Sequence, residues 1–309
     1  MNLNKKKLFF YLKIIWTLSL SYFLYVYFSK NFNQIYLLSK QLPIENIILA
    51  ILFLVFGKIL LSYNVCLALK RIGTNFPFFK CFHIYNTTQL AKYIPGSVWQ
   101  WVGRGGIYQQ EGLKYKQIKD SLLYEIVWLI CGAFSVGIIT ICVSDFHFIN
   151  TLISSIIPED IRPLVLCISA LTLLFALLLK RFHKSFSVVF KYRPTAIIAL
   201  IHFLIWITLG TSYWFTLSPY ANSISLVFVI GVYAISFVIG FLVPFAPAGL
   251  GIREAVLVAA MTPFMDVDTA IWAATINRIL YSLSEIFLVI SSYSILFFCK
   301  ILDYKQRRL

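Results

Sequence analysis

Acidic side chains are scarce in this sequence, 12 Asp and Glu against 27 Lys and Arg, and charged residues of both signs make up only 13%. A soluble globular domain carries about 25% charged and about 45–50% apolar residues. Here 60% are hydrophobic and the mean hydropathy is +0.82. A chain of 309 residues has no core large enough to hide that surplus, so lipid must take it and a soluble domain is excluded. Enzyme signatures are also missing. No GxxxxGK[ST] loop is present to cradle ATP, and Gly103-Arg104-Gly105-Gly106 lacks the preceding strand of a nucleotide fingerprint. His83, His147, His183 and His202 lie far apart, with no HExxH and no Ser-His-Asp arrangement. Cys66, Cys81, Cys131, Cys142, Cys167 and Cys299 form no CxxC and have no histidine at metal spacing, so they read as small buried hydrophobes. No enzymatic activity, metal or cofactor is expected.

What is present is a series of long apolar runs. A hydrocarbon core about 30 Å thick needs about 20 apolar residues of helix. Residues 8–28, 44–69, 120–143, 162–179, 195–217 and 269–298 qualify, 223–243 is long enough, and 252–264 is a shorter apolar arm. Lys5-Lys6-Lys7 ahead of the first run imitates a signal peptide, but the run continues to Ser29-Lys30-Asn31-Phe32 without a small-x-small cleavage site. It reads as a retained first helix. With the N-terminus placed in the cytoplasm, twenty of the 27 basic residues fall on inner segments and three, Lys30, Lys40 and Arg162, on outer ones. The outer loops instead hold Glu45, Asp145, Glu159, Asp160, Asp266 and Asp268. The positive-inside bias therefore absorbs the net charge of +15 without nucleic acid, and predicts an inner-membrane protein with both termini cytoplasmic.

Two places combine apolar sequence with helix breakers. Residues 78–94 lead to Ile94-Pro95-Gly96 and 97–110 lead away; residues 223–243 lead to Pro244-Phe245-Ala246-Pro247-Ala248-Gly249-Leu250-Gly251 and 252–264 lead back. Proline removes a backbone donor and glycine weakens helix. Non-helical backbone at membrane depth is tolerated only in protein or beside a wet cavity. Each break follows two spans and precedes one, and the sidedness sends the first hairpin in from the cytoplasm and the second from outside. Paired breaks in halves of opposite orientation point to a transporter's central site. The fold class expected is all-α integral membrane: one domain over 1–309, about eight helical segments, and inverted pseudo-repeats at about 8–143 and 162–298. Two alternatives stay open: 223–264 as two ordinary spans joined by a turn, and 78–110 as an amphipathic element flat on the inner surface.

Ionisable groups within apolar helices cost about 2.5–3.5 kcal/mol each on insertion scales, so they mark function. Lys13 lies near a helix end and snorkels. Lys58 is mid-span, Glu125 a third of the way into its helix and Glu285 near the middle of the last one. Arg253 and Glu254 follow the second break, and Arg104 lies beside the first. Arg278 shares a helix face with Tyr281 and Glu285 at offsets of three and seven. Structural pairing, for example Lys58 with Glu125 or Arg278 with Glu285, accounts for single residues. It does not account for bases outnumbering acids around two breaks. A positive lining with helix N-termini suits an anion. Trp99, Trp101 and Tyr108 serve either as an interfacial aromatic belt or as stacking partners.

Lys92-Tyr93-Ile94-Pro95-Gly96-Ser97-Val98-Trp99 followed by Gly103-Arg104 resembles the KYxPGxxW…R signature of the lysylphosphatidylglycerol synthase transmembrane region. Pro247-Ala248-Gly249-Leu250-Gly251-Ile252-Arg253-Glu254 resembles that family's PGGLGxRE, with Ala248 in place of one glycine, and Arg278 matches an arginine of its last helix. The resemblance runs in order along essentially the whole chain. It implies a flippase-like protein. Some members move aminoacylated phosphatidylglycerol, and stand-alone ones often accompany polysaccharide or polyprenyl-glycan pathways. The sequence stops at Leu309, so the soluble aminoacyl transferase half of the synthases is not expected. Membrane-embedded sugar transferases resemble one another in an aspartate of the first outer loop, and residues 29–43 hold no Asp or Glu.

Together these readings predict a flippase for an anionic phospholipid or a polyprenyl-linked glycolipid. Arg104, Arg253 and Arg278 would bind phosphate, with Lys58, Lys92 and Trp99 assisting. Glu125, Glu254 and Glu285 would position the bases or couple protons, and Pro95, Gly96, Pro247, Gly249 and Gly251 would hold the breaks open. The alternative is a non-transporting component of an envelope-polysaccharide assembly, acting by helix contacts with its partners. The topology is open to test: single cysteines at Asn33 and Asn150 should react with an impermeant thiol reagent from outside, and ones at Lys184 and Gln306 should not. A tail that labels from outside would overturn the parity.

Overall fold

Pro43, held extended at φ −63°, cannot donate a backbone hydrogen bond and starts helix α2, Ile44–Arg71, without wasting a donor. That helix is 28 residues long and ends on Lys70 and Arg71, the sign its C-terminal dipole favours. Helix α1, Phe32–Gln41, precedes it. Helix α3, Phe78–Gln89, runs into a 3-10 turn at Leu90–Tyr93, and α4, Trp99–Gln110, leaves the first break. Then come α5, Tyr115–Ser144, α6, Thr195–Leu217, and α7, Leu226–Leu242. A 3-10 turn at Pro247–Gly249 separates α7 from α8, Ile252–Met261, and the 40-residue α9, Val267–Gln306, closes the sequence of elements. Asp266 caps α9: the Thr269 N–H donates to its carboxylate at 2.8 Å, and that bond holds the Asp266 carboxyl below its ordinary range.

The computed structural model describes residues 29–94, 98–144, 195–221, 224–243 and 246–306, with scattered positions between 15 and 27. Most of the expected first span 8–28, the span 162–179 with its flanking charges, and Pro95, Gly96 and Pro244 lie outside them. Among the described residues all regular structure is helical. Four helices, in α2, α5, α6 and α9, are long and apolar enough to cross a bilayer. At 1.5 Å per residue the ten residues of α8 reach only about 15 Å, half a hydrocarbon core, so α8 is too short to cross alone. The 17 residues of α7 reach about 26 Å.

The core forms where α6 packs on α2 and α7, and α7 on α5. Ile205, Trp206, Leu209 and Tyr213 of α6 are its buried spine. Helix α9 is built the opposite way round from a soluble helix. Asn277, Tyr281, Ser284 and Glu285 face inward, while Leu283, Ile286, Phe287 and Ile290 are about half exposed or more. An apolar outside around a polar inside is what lipid selects, and the protein is a multi-pass membrane protein. Helix α3 is not a lone surface element: it packs against both α2 and α9 and buries Cys81, Phe82, Ile84, Tyr85, Asn86 and Thr88.

Apolar helices in lipid gain little from hydrophobicity alone and associate where small residues let backbones approach. Gly210 of α6 is such a point, since a Cβ there would lie 2.6 Å from Cα of Ile230 on α7. Gly106, on the exposed side of α4, would meet nothing within 4 Å. Gly210→Ala should therefore cost about 1–3 kcal/mol by forcing two backbones apart. Gly106→Ala should be neutral or stabilise by up to about 1 kcal/mol through helix propensity. Thermal denaturation of the two variants in one detergent checks the contrast.

Candidate functional site

The two breaks meet. The turn Leu90–Tyr93 packs against the turn Pro247–Gly249, and one face of α9, bearing Arg278, Tyr281 and Glu285, holds both. From the first turn, the Lys92 ammonium pairs with Glu285 and the Tyr93 hydroxyl donates to the same carboxylate at 2.8 Å. From the second, the Ala248 carbonyl accepts a hydrogen bond from Nη2 of Arg278 at 3.0 Å. The second turn is strained where the chain reverses: Ala248 sits at φ 52°, and Gly249 and Gly251 at 69° and 83°. Only glycine takes those angles freely, and a left-handed alanine costs roughly 1–2 kcal/mol. The Gly251 N–H donates to Glu254 at 2.7 Å, capping α8.

Five bases and three acids gather around this junction. Lys58 of α2 lies 3.3 Å from Glu285 and donates to the Tyr281 carbonyl at 2.7 Å, so Glu285 serves two lysines. Arg104 pairs with Glu125, which also accepts from the Tyr108 hydroxyl at 3.1 Å. Arg104 further donates to Thr88 at 3.2 Å and to Gln89 at 3.4 Å. Arg278 Nε stands 3.6 Å from Glu254. Arg253 is the exception. It is 6% exposed and, among the described residues, has no carboxylate within 4 Å, and its Nε has no hydrogen-bond partner. Its guanidinium lies instead among the rings of Tyr233, Phe237 and Tyr281, at 5.2, 5.2 and 5.6 Å. Gly240 and Gly249 make room for its stem; a Cβ on Gly240 would overlap Cγ of Arg253, and one on Gly249 would lie 3.1 Å from it.

Arg253 faces a cavity of about 550 Å³ bounded by α2 to α7, both turns and Tyr281. Lys92, Arg104 and Glu125 line it, as do the amides of Asn64, Gln89 and Gln100 and the indoles of Trp101 and Trp206. Gly249 lies on its wall. A second, water-sized space of about 10 Å³ lies behind Arg253, between it, Arg278 and Asn277. With every ionisable group at its ordinary charge, five bases against three carboxylates leave a surplus of two. If one of the lysines on Glu285 is neutral, the surplus is still one, because arginine does not deprotonate.

The clustering of the ionisable residues follows the sequence reading, and its pairings do not. Lys58 pairs with Glu285 and not Glu125, because Glu125 faces α4 and is taken by Arg104. Arg278 pairs with Glu254 and not Glu285, because the α9 face directs Glu285 toward the first turn. Lys58, Glu285 and Arg278 stand behind Tyr281 and do not border the large cavity. Trp99, expected as a ligand contact, is 46% exposed and off the cavity wall; two residues on, about 200° around α4, Trp101 takes that place. Tyr108 is buried against Glu125 and belongs to no aromatic belt. Pro247 is buried, and Pro95 and Gly96 lie outside the described residues. Asn64, Gln100, Trp206 and Gly240 were missed. An amide in the apolar run of α2, six residues after Lys58, was the available signal for Asn64.

The chain belongs to the family described as the lysylphosphatidylglycerol synthase TM region, whose model matches residues 12–286. No curated protein matches it.

Glu285 anchors the first turn, so its loss should be felt as stability. Glu285→Gln strands two buried lysines and should cost about 3–5 kcal/mol, less whatever neutralising a lysine recovers. Lys92→Met added to it should recover part of that loss, whereas Arg278→Gln added to it should not. A double-mutant cycle on thermal stability reads the difference; coupling of Glu285 to Arg278 as strong as to Lys92 would contradict the pairing.

Proposed function

We propose that this protein binds the anionic headgroup of a membrane lipid in the cavity beside Arg253 and carries it across the bilayer while the tails stay in lipid. The observation that carries the reading is the unmatched charge. A buried guanidinium without a carboxylate costs several kcal/mol after relaxation, and a phosphate oxygen in the cavity would offset that cost. Family membership adds support, since the family is a membrane domain associated with lysylphosphatidylglycerol synthesis or flipping.

In this reading the two Pro/Gly breaks are re-entrant hairpins of inverted halves, at about 8–143 and 162–298, that enter from opposite sides. Arg253 and Arg104 contact the phosphate, and Lys92 lies within reach. Arg278 and Lys58 hold the surrounding frame, and Glu125, Glu254 and Glu285 position the bases. Gly249 and Gly251, with Pro95, Gly96 and Pro247, keep backbone out of the headgroup's way. The protein lies in the inner membrane with both termini cytoplasmic and performs no chemistry on its cargo.

Reconstitution tests this. Proteoliposomes containing a tail-labelled anionic phospholipid should lose label to an impermeant quencher faster than empty liposomes. Arg253→Gln should slow the movement roughly tenfold or more, the loss of one charge-assisted hydrogen bond of about 1.5–3 kcal/mol. Gly240→Ala should slow it as well, by displacing the Arg253 stem. No movement by the folded wild-type chain would leave the non-transporting role in an envelope assembly, and sugar transfer would make it an enzyme.

A further inference from the structure

Two thiols outside the lipid site are brought together by the fold. Helices α2 and α3 form a hairpin through residues 72–77, and two contacts fix its register. The Asn86 amide donates to the Ser62 hydroxyl at 3.4 Å, and the rings of Tyr63 and Phe78 lie 6.3 Å apart. Cys66 stands one turn beyond Ser62 on the same face of α2, and Cys81 a little over one turn before Asn86 on α3. In an antiparallel pair those two steps converge, and the Cys66 and Cys81 side chains are in contact. Both are free thiols. Cys81 is fully buried, while Cys66 is half-buried and packs against the cluster that contains Cys81. The other bond of the Cys81 thiol, donated to the Phe76 carbonyl at 3.9 Å, is weak and readily given up.

One accessible thiol against one buried thiol is the arrangement of a reacting and a resolving cysteine. Cys66 lies about 8 Å of helix from Arg71, the end of α2 that the topology proposed above puts in the cytoplasm. Thiols there are kept reduced, so a disulfide at this place is transient and carries a signal. We infer that Cys66 and Cys81 are a redox pair, closed to a disulfide by a hydroperoxide. The Cys66 sulfur attacks the terminal peroxide oxygen, the O–O bond breaks, and the departing oxygen takes the thiol proton and leaves as water or an alcohol. Cys66 is then a sulfenic acid. The Cys81 sulfur attacks the Cys66 sulfur, the S–O bond breaks, and hydroxide leaves as water with the Cys81 proton. Two electrons have passed from the two sulfurs to the peroxide. Helix α3 leads directly into the turn that carries Lys92 and Tyr93. A covalent bond to α2 near its start fixes the first hairpin and, resting on the transport reading above, slows lipid movement.

The test treats the full chain in liposomes with hydrogen peroxide from the water or with a phospholipid hydroperoxide built into the bilayer. The faster of the two identifies the source of the oxidant. Peptide mapping should find Cys66 and Cys81 joined and dithiothreitol should part them. Oxidation should slow labelled-lipid movement roughly fivefold or more, because motions of such segments commonly set the rate, and dithiothreitol should restore it. In Cys81→Ser, dimedone should trap Cys66 as the sulfenic acid and lipid movement should withstand the oxidant. If that buried substitution does not fold, Cys66→Ser at the half-buried position replaces it, and Cys81 should then stay a free thiol. Free thiols at both positions in the oxidised, folded wild-type chain would overturn the pair. A complete disulfide with lipid movement unchanged would overturn the brake. If the wild-type chain moves no lipid before oxidation, the transport reading and the brake fall together, and the cross-link alone decides the pair.

Discussion

More positive than negative charge is packed around one tyrosine ring, and the other features of the site follow from keeping that charge in place. Lys58 and Lys92 stand 3.5 and 4.7 Å from the Tyr281 ring, and Arg253 and Arg278 each 5.6 Å. Each such contact is worth about 0.5–1 kcal/mol when exposed and about 2 or more when desolvated. The ring and the three carboxylates make the cluster tolerable without neutralising it. Helix α9 supplies Arg278, Tyr281 and Glu285 from a single face, which is why two turns far apart in sequence both dock on it.

The second break exists to deliver Arg253. A continuous helix from α7 through α8 could not fold Arg253 back over Gly240, and the reversal needs left-handed backbone at 248, 249 and 251. Glycine supplies two of the three positions. Ala248 supplies the third under strain, with its carbonyl fixed by Arg278 and the start of α8 fixed by Glu254. Glu254 thus has two tasks, helix cap and partner of Arg278, and neither requires it to touch a ligand.

Much of this was legible in the sequence, and what was not has a physical cause. Apolar run length gave α2, α5, α6 and α9 to within a few residues, apart from α9 extending to Gln306, because a bilayer imposes a length on any helix that crosses it. The breaks were legible because proline and glycine act locally. Charges in apolar helices marked the site for the same reason: their cost is paid wherever they sit. Partner choice was not legible. Whether Glu285 meets Lys58, Lys92 or Arg278 depends on how α2, the first turn and α9 are rotated against one another, and periodicity fixes only the rotation within one helix. The amides were harder still, since Asn64 and Gln100 carry no charge and differ from solvent-facing amides only by what surrounds them.

The central claim is that the surplus positive charge at Arg253 is matched by an anionic lipid rather than by protein. Native mass spectrometry of the chain released gently from its membrane tests it directly. The account predicts a retained anionic lipid at close to one per chain, lost from Arg253→Gln while the variant stays folded. A bare wild-type chain, or the same retained lipid on Arg253→Gln, would contradict it.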